Sequence, residues 1–131
     1  GQTWEAVQTA AHHGIDNLWA LMDVNRQQCD GAMNDVMTVG NIATKLRNFG
    51  AVVAEVDAHD IAALRQAKAT PHEGQPLVIL ANSSPTHGME TLRPRMPRLH
   101  YVRFKSDAER DATNLGIAAE LGIAPITLGE H

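Results

Sequence analysis

Apolar positions in this chain follow two rhythms. In residues 3–13, Trp4, Val7 and Ala11 recur at helical spacing, and Gly14 is a natural stop. Residues 38–48 repeat the pattern with Val39, Ile42 and Leu46, closed by Phe49-Gly50, and residues 60–68 do so with Ile61, Leu64 and Ala67 inward. Between these helices stand compact apolar runs at 18–22, 51–56 and 77–81. They do not alternate with polar residues, as expected of buried strands. The order strand, helix, strand, helix, strand predicts an α/β domain, a parallel sheet with flanking helices and right-handed crossovers. Residues 71–75 form a turn.

Residues 82–105 break the rhythm. Three prolines and four arginines with little periodicity predict a long loop. Ser106-Asp107 then caps a last helix, 108–121, which Gly122 ends, and 126–128 reads as a short edge strand. Neither an internal repeat nor a low-complexity segment occurs.

Composition narrows the function. A chain of 131 residues with 44% hydrophobic content makes one globular domain and is too short for two ordinary ones. Its apolar runs are too short to cross a bilayer. A net charge of −4 argues against nucleic acid or an anionic membrane as the main partner. The single cysteine, Cys29, excludes an internal disulfide framework and suits a reducing cytoplasm, where the protein is expected. No charged-then-apolar signal segment opens the chain. The first residue is Gly1 and the first helix starts at once, so the 131 residues are expected to be part of something larger.

Ligands of open parallel sheets gather beyond the carboxyl ends of the strands. The stretch "MDVNRQQCDG", residues 22–31, places Asp23, Asn25 and Gln27 there. A hard cation such as magnesium takes oxygen from carboxylates, amides and backbone carbonyls, and often bridges to phosphates. Asn25 offers a side-chain oxygen, and Gln27 a backbone oxygen from a turning chain. A polar loop that caps a strand is the plainer account of the spacing alone, and both readings stay open. Glu5, next to Trp4 on an otherwise apolar helix, either faces solvent or needs a partner.

Seven histidines are many for this length. His12 and His13 end a helix, where a cation suits the dipole, and Asp57 and Asp60 around His59 suit a turn or a cap. Arg93, Arg95, Arg98, Arg103 and Lys105 crowd one loop, as a phosphate-binding set or as a solvated, disordered segment. Cys29 reads as a small filler.

Three stretches in order, "GQTWEAVQTAAHHGIDNL", "MDVNRQQCDG" and "FGAVVAEVDAHD", resemble the thiamine-diphosphate-binding half of transketolases. The resemblance is good over residues 1–81 and weak beyond. It implies a thiamine-diphosphate-binding α/β fold, of which residues 1–131 are one partial domain. Carried over by position, Asn25 is similar to the family's side-chain magnesium ligand and Gln27 to the residue giving a main-chain oxygen, with Asp23 supporting the cofactor site. The third ligand, the aspartate of a Gly-Asp-Gly triplet, is absent from this sequence and is expected in an upstream segment or another chain. Glu5 aligns with a glutamate of the carboxylate network that joins two active sites across a dimer. His100 is similar to a histidine near the diphosphate and the substrate, with His87 as competitor.

The activity so implied is transfer of a two-carbon ketol unit between sugar phosphates, with thiamine diphosphate and magnesium. The resemblance also implies a homo- or heterodimer, or larger, completed by a pyrimidine-binding domain or subunit that this sequence lacks. Two alternatives stand beside it. One is an alpha-type subunit of another thiamine-diphosphate enzyme, of the 2-oxo-acid dehydrogenase or deoxyxylulose-phosphate synthase type. The other is a non-catalytic scaffold subunit.

Overall fold

An apolar run without alternation needs cover on both faces, and Leu77–Asn82 receives it as the middle strand of a three-stranded parallel sheet. In a computed structural model describing residues 1–126, the chain runs α1 (Gln2–His12), β1 (Trp19–Val24), β2 (Gln27–Gln28), β3 (Gly31–Ala32), α2 (Met33–Val36) and α3 (Ile42–Asn48). It continues through β4 (Val52–Asp57), α4 (Ile61–Lys68), β5 (Leu77–Asn82), a 3-10 helix (Glu90–Arg95) and α5 (Asp107–Leu121). The expected α/β architecture with a parallel sheet and flanking helices is thus present. The edge strand expected at 126–128 falls outside the described residues beyond Ile126. No helix among the described residues is long and apolar enough to cross a membrane.

The chain divides into two compact units: Gly1–Asn25 with Val39–Ser83, and Arg26–Thr38 with the chain from Ser84 on. The first holds the sheet, ordered β1-β5-β4. Alternate residues of the strands feed two cores. Val7 of α1 and Ala43 and Leu46 of α3 pack with Ala51, Val78 and Leu80, flanked by Trp4, Met22 and Val24. On the opposite face Ala67 and Leu64 of α4 meet Leu77, Ile79, Val52 and Ala54.

Three expectations change here. β1 is not a buried strand: Met22 and Val24 reach the core, but Trp19 is 47% and Leu21 55% exposed. The cause is its edge position; on the α4 side the clustered residues belong to α4, β4 and β5, and Lys68 stands 4.8 Å over the Trp19 ring of β1. The helix expected at 38–48 begins only at Ile42. Gly40 is left-handed (φ 61°), and the Asn41 side chain accepts from the Thr44 N–H at 2.8 Å, so the cap leaves Val39 outside. Ile61, expected inward, is 59% exposed at the first position of α4.

In the second unit, β2 and β3 form a short antiparallel ribbon with Gln27 opposite Ala32. The segment 82–105 is no structureless loop. Its 3-10 helix is tied to α5, because Glu120 accepts from both the N–H and the hydroxyl of Thr91 at 2.7 Å. Arg95 bonds Glu109 at 2.9 Å and the Arg103 carbonyl at 2.8 Å, and it stacks 4.9 Å from the Phe104 ring. Arg93 forks onto Glu90, and this hydrogen bond and charge hold the Glu90 carboxyl below its ordinary value. As expected, Ser106 caps α5, accepting from Glu109, and left-handed Gly122 ends it.

Gly116 of α5 lies where the 3-10 helix crosses. A Cβ there would stand 2.6 Å from the Thr91 hydroxyl oxygen and 2.8 Å from its methyl, and Glu120 holds that hydroxyl in place. Gly116→Ala should therefore destabilise this unit by about 1–3 kcal/mol through overpacking, despite the roughly 1 kcal/mol that alanine gains over glycine in a helix. Hydrogen exchange of residues 90–95 reads this out. Thr91→Ala in the same chain should restore protection, and equal protection in Gly116→Ala and wild type would refute the close contact.

Candidate functional site

Parallel pairing brings the carboxyl ends of β1 and β5 together in register, with Asp23 opposite Ala81 and Val24 opposite Asn82. The Ser83 N–H continues this ladder by donating to the Val24 carbonyl at 3.3 Å. Asp23 points its carboxylate into the strand end. One oxygen accepts from the Ser83 hydroxyl, and the other accepts from the Asn25 side-chain amide at 3.1 Å. Ser83, which the sequence did not single out, is thus part of the site.

Beside it, Asp57 closes β4 and accepts from the His59 N–H at 2.9 Å. Asp60 caps α4 through the Ala63 N–H, also at 2.9 Å. Both serve the turn and cap roles expected of them.

After Asn25 the chain reverses at Arg26, a non-glycine residue in the left-handed region (φ 60°). Such a conformation costs about 1–2 kcal/mol, offset in part by the hydrogen bond from Met33 N–H to the Arg26 carbonyl at 2.9 Å. The hairpin β2–β3 follows, with Cys29 and Asp30 at its tip. Cys29 is exposed at this tip, so it fills no core. The half-buried Gln27 donates its side-chain amide to the Met96 sulfur at 3.5 Å.

The structure brings Asp23 and Asn25 together in the first unit, while Gln27 belongs to the second. Glu5 is exposed in the first turn of α1. His100 is exposed in the second unit, edge-on to Tyr101 with ring centres 4.5 Å apart. His87 is also exposed, and its N–H donates to the Ser84 carbonyl at 3.0 Å. Arg93 and Arg95 are engaged with Glu90 and Glu109, so two of the five cations in this segment are paired within it, while Arg98, Arg103 and Lys105 are exposed.

Among the described residues no group of three or more His, Cys, Asp or Glu side chains could hold a metal ion. The strand end offers instead an amide whose N–H₂ end is taken by a carboxylate. An amide oxygen is a donor for a hard, oxygen-seeking cation and not for a soft metal.

The sequence matches the family model described as transketolase, thiamine diphosphate binding domain, over residues 1–89. The chain belongs to this family. The transketolase match takes in the whole three-stranded sheet, Asp23, Asn25, Gln27 and Ser83, and it ends before His100. An uncharacterized transketolase family protein of Sinorhizobium fredii is 32% identical over 118 residues, 88% of this chain and 42% of that protein. One of the apulose-4-phosphate transketolase subunits of Actinobacillus succinogenes is 31% identical over 108 residues, 82% of this chain and 39% of its own. A Clostridium 6-deoxy-6-sulfo-D-fructose transketolase subunit is 34% identical over 87 residues, 63% and 31% of the two chains. This chain therefore spans less than half the length of these relatives. The crystal structure of transketolase from Campylobacter jejuni shares the fold, with a TM-score of 0.69 at 20% identity over 95% of this chain and 19% of that one.

Proposed function

We propose that residues 1–131 are one partial domain, the later part of the thiamine-diphosphate-binding domain of a transketolase-like enzyme, which transfers a two-carbon ketol unit between sugar phosphates. The observation that carries this reading is the Asp23–Asn25 pair at the carboxyl end of β1, inside the family match. Thiamine diphosphate, when bound, supplies a thiazolium carbon able to stabilise a carbanion. Asn25 would hold magnesium through its side-chain oxygen and Gln27 through its main-chain oxygen, the metal gripping the diphosphate. The engagement of the Gln27 side chain with Met96 suits a main-chain role. No Gly-Asp-Gly occurs in this sequence, so the third protein ligand comes from elsewhere in the enzyme.

The exposure of Glu5 suits a carboxylate shared across a subunit interface, and that of His100 suits a group reaching the diphosphate and the substrate. A pyrimidine-binding domain or subunit completes the site in a dimer or larger assembly. Two of the relatives are described as subunits, which supports a partner chain.

The test is calorimetric titration of the full-length protein, assembled with its partner, with thiamine diphosphate and magnesium, followed by assay with a ketose phosphate donor. Binding with ketol transfer is expected. No binding would remove the catalytic reading in favour of a scaffold subunit. Binding with decarboxylation of a 2-oxo acid, and no ketol transfer, would favour the dehydrogenase type.

A further inference from the structure

A primary amide has two ends of nearly equal size, and only one of them attracts a cation. At the end of β1, Asp23 acts on which end of Asn25 points where. An ionised carboxylate is an acceptor only, so its oxygen 3.1 Å away can meet the N–H₂ end of Asn25 and not the oxygen end. The amide oxygen is thereby turned the other way. Asp23 is itself exposed, so burial does not hold its carboxylate in position. Its second oxygen is held by the hydroxyl of Ser83, and the Ser83 backbone is fixed by donating to the Val24 carbonyl at 3.3 Å.

We propose that Ser83 and Asp23 are positioning residues: the chain Ser83 hydroxyl, Asp23 carboxylate, Asn25 amide presets the Asn25 oxygen toward a divalent cation. This rests on the metal-ligand reading of Asn25. It assigns a role to the residue just past β5 and explains why an acidic side chain beside a cation site is used as an acceptor rather than as a ligand. Ligands set in this way by outer hydrogen bonds typically lose roughly 10- to 100-fold in metal affinity when the outer partner is removed. For a site this exposed, about tenfold, the lower end, is expected.

The probe is Mn²⁺, titrated in the presence of saturating thiamine diphosphate into the protein assembled with its partner, with free metal followed by paramagnetic resonance. Ser83→Ala should weaken Mn²⁺ binding about tenfold, and Ser83→Thr, which keeps the hydroxyl, should restore it. Asp23→Asn should also weaken it, because an amide facing Asn25 can accept from its N–H₂ end or donate to its oxygen end, and this near-isosteric change keeps the proposal testable if Ser83→Ala fails to fold. In an Asn25→Ala background, Ser83→Ala should have no further effect. Wild-type affinity in Ser83→Ala or Asp23→Asn, with Asn25→Ala impaired, would overturn the positioning role and leave the ligand reading standing. An equal loss from Ser83→Ala in both backgrounds would overturn it too, since Ser83 would then act on the fold. Wild-type affinity in Asn25→Ala would remove the ligand reading itself.

Discussion

Asn25→Ala, in the protein assembled with its partner, is expected to weaken magnesium-dependent binding of thiamine diphosphate by about a hundredfold or more. Removal of a hydrogen-bonding partner one step away from a metal already costs up to about a hundredfold, and a direct ligand costs at least as much. The effect should be concentrated in the metal. Raising magnesium should recover much of the diphosphate affinity by mass action, because the cofactor's own contacts are untouched. Stability should hardly move, since Asn25 lies beyond the end of β1 and outside both apolar clusters. Asn25→Asp is the informative companion. It keeps an oxygen but loses the N–H₂ that Asp23 accepts, and it sets two carboxylates side by side. Its affinity should fall between those of wild type and Asn25→Ala. Calorimetry at two magnesium concentrations measures all of this, and an unchanged dissociation constant for Asn25→Ala would withdraw the metal site.

Leu46→Ala should cost about 2–5 kcal/mol. Leu46 is 0% exposed and sits where α3 joins Val7 of α1 to Val78 and Leu80 of the middle strand. Truncation leaves a hole lined by residues of three elements that cannot collapse together. Because domains are stable by only about 5–15 kcal/mol, one such change takes a large share of the total. Urea unfolding should show a lower midpoint with an unchanged slope. Ile61→Ala is the contrast: the residue is as apolar but 59% exposed, and it should shift stability by less than about 0.5 kcal/mol. If the two variants unfold alike, the packing assigned to α3 is wrong.

How far the sequence could be read depended on whether the cause of each element was local. Leu77–Asn82 was legible because a middle strand is apolar on both faces whatever surrounds it. The ends of α4 and α5 were legible because Asp60, Ser106 and Gly122 act on backbone within a few residues. β1 carries a similar apolar run but is an edge strand, and nothing in its own residues announces that one face stays open. Val39 supplied helical spacing without helical backbone, since Gly40 and Asn41 set the start of α3 downstream. The 3-10 helix owes its place to Glu120 and Gly116, which lie far along the chain and leave no periodic trace near Thr91.

The site divides in the same way. Asp23 and Asn25 could be found as polar side chains ending an apolar run. Ser83 could not, because its partner is sixty positions away and only the parallel register of β1 and β5 brings them together. The one available signal was a hydroxyl directly after a second strand that ends at the same side of the sheet.

The open flank of β1 has a practical side. Its backbone pairs with β5 along one side only among the described residues, and Trp19 and Leu21 stand exposed beside that edge. Unpaired edges are where backbone from another molecule adds, and apolar neighbours strengthen the seam. Handled by itself, the chain is expected to associate along this line, and a lysine in place of Leu21 is expected to reduce that association.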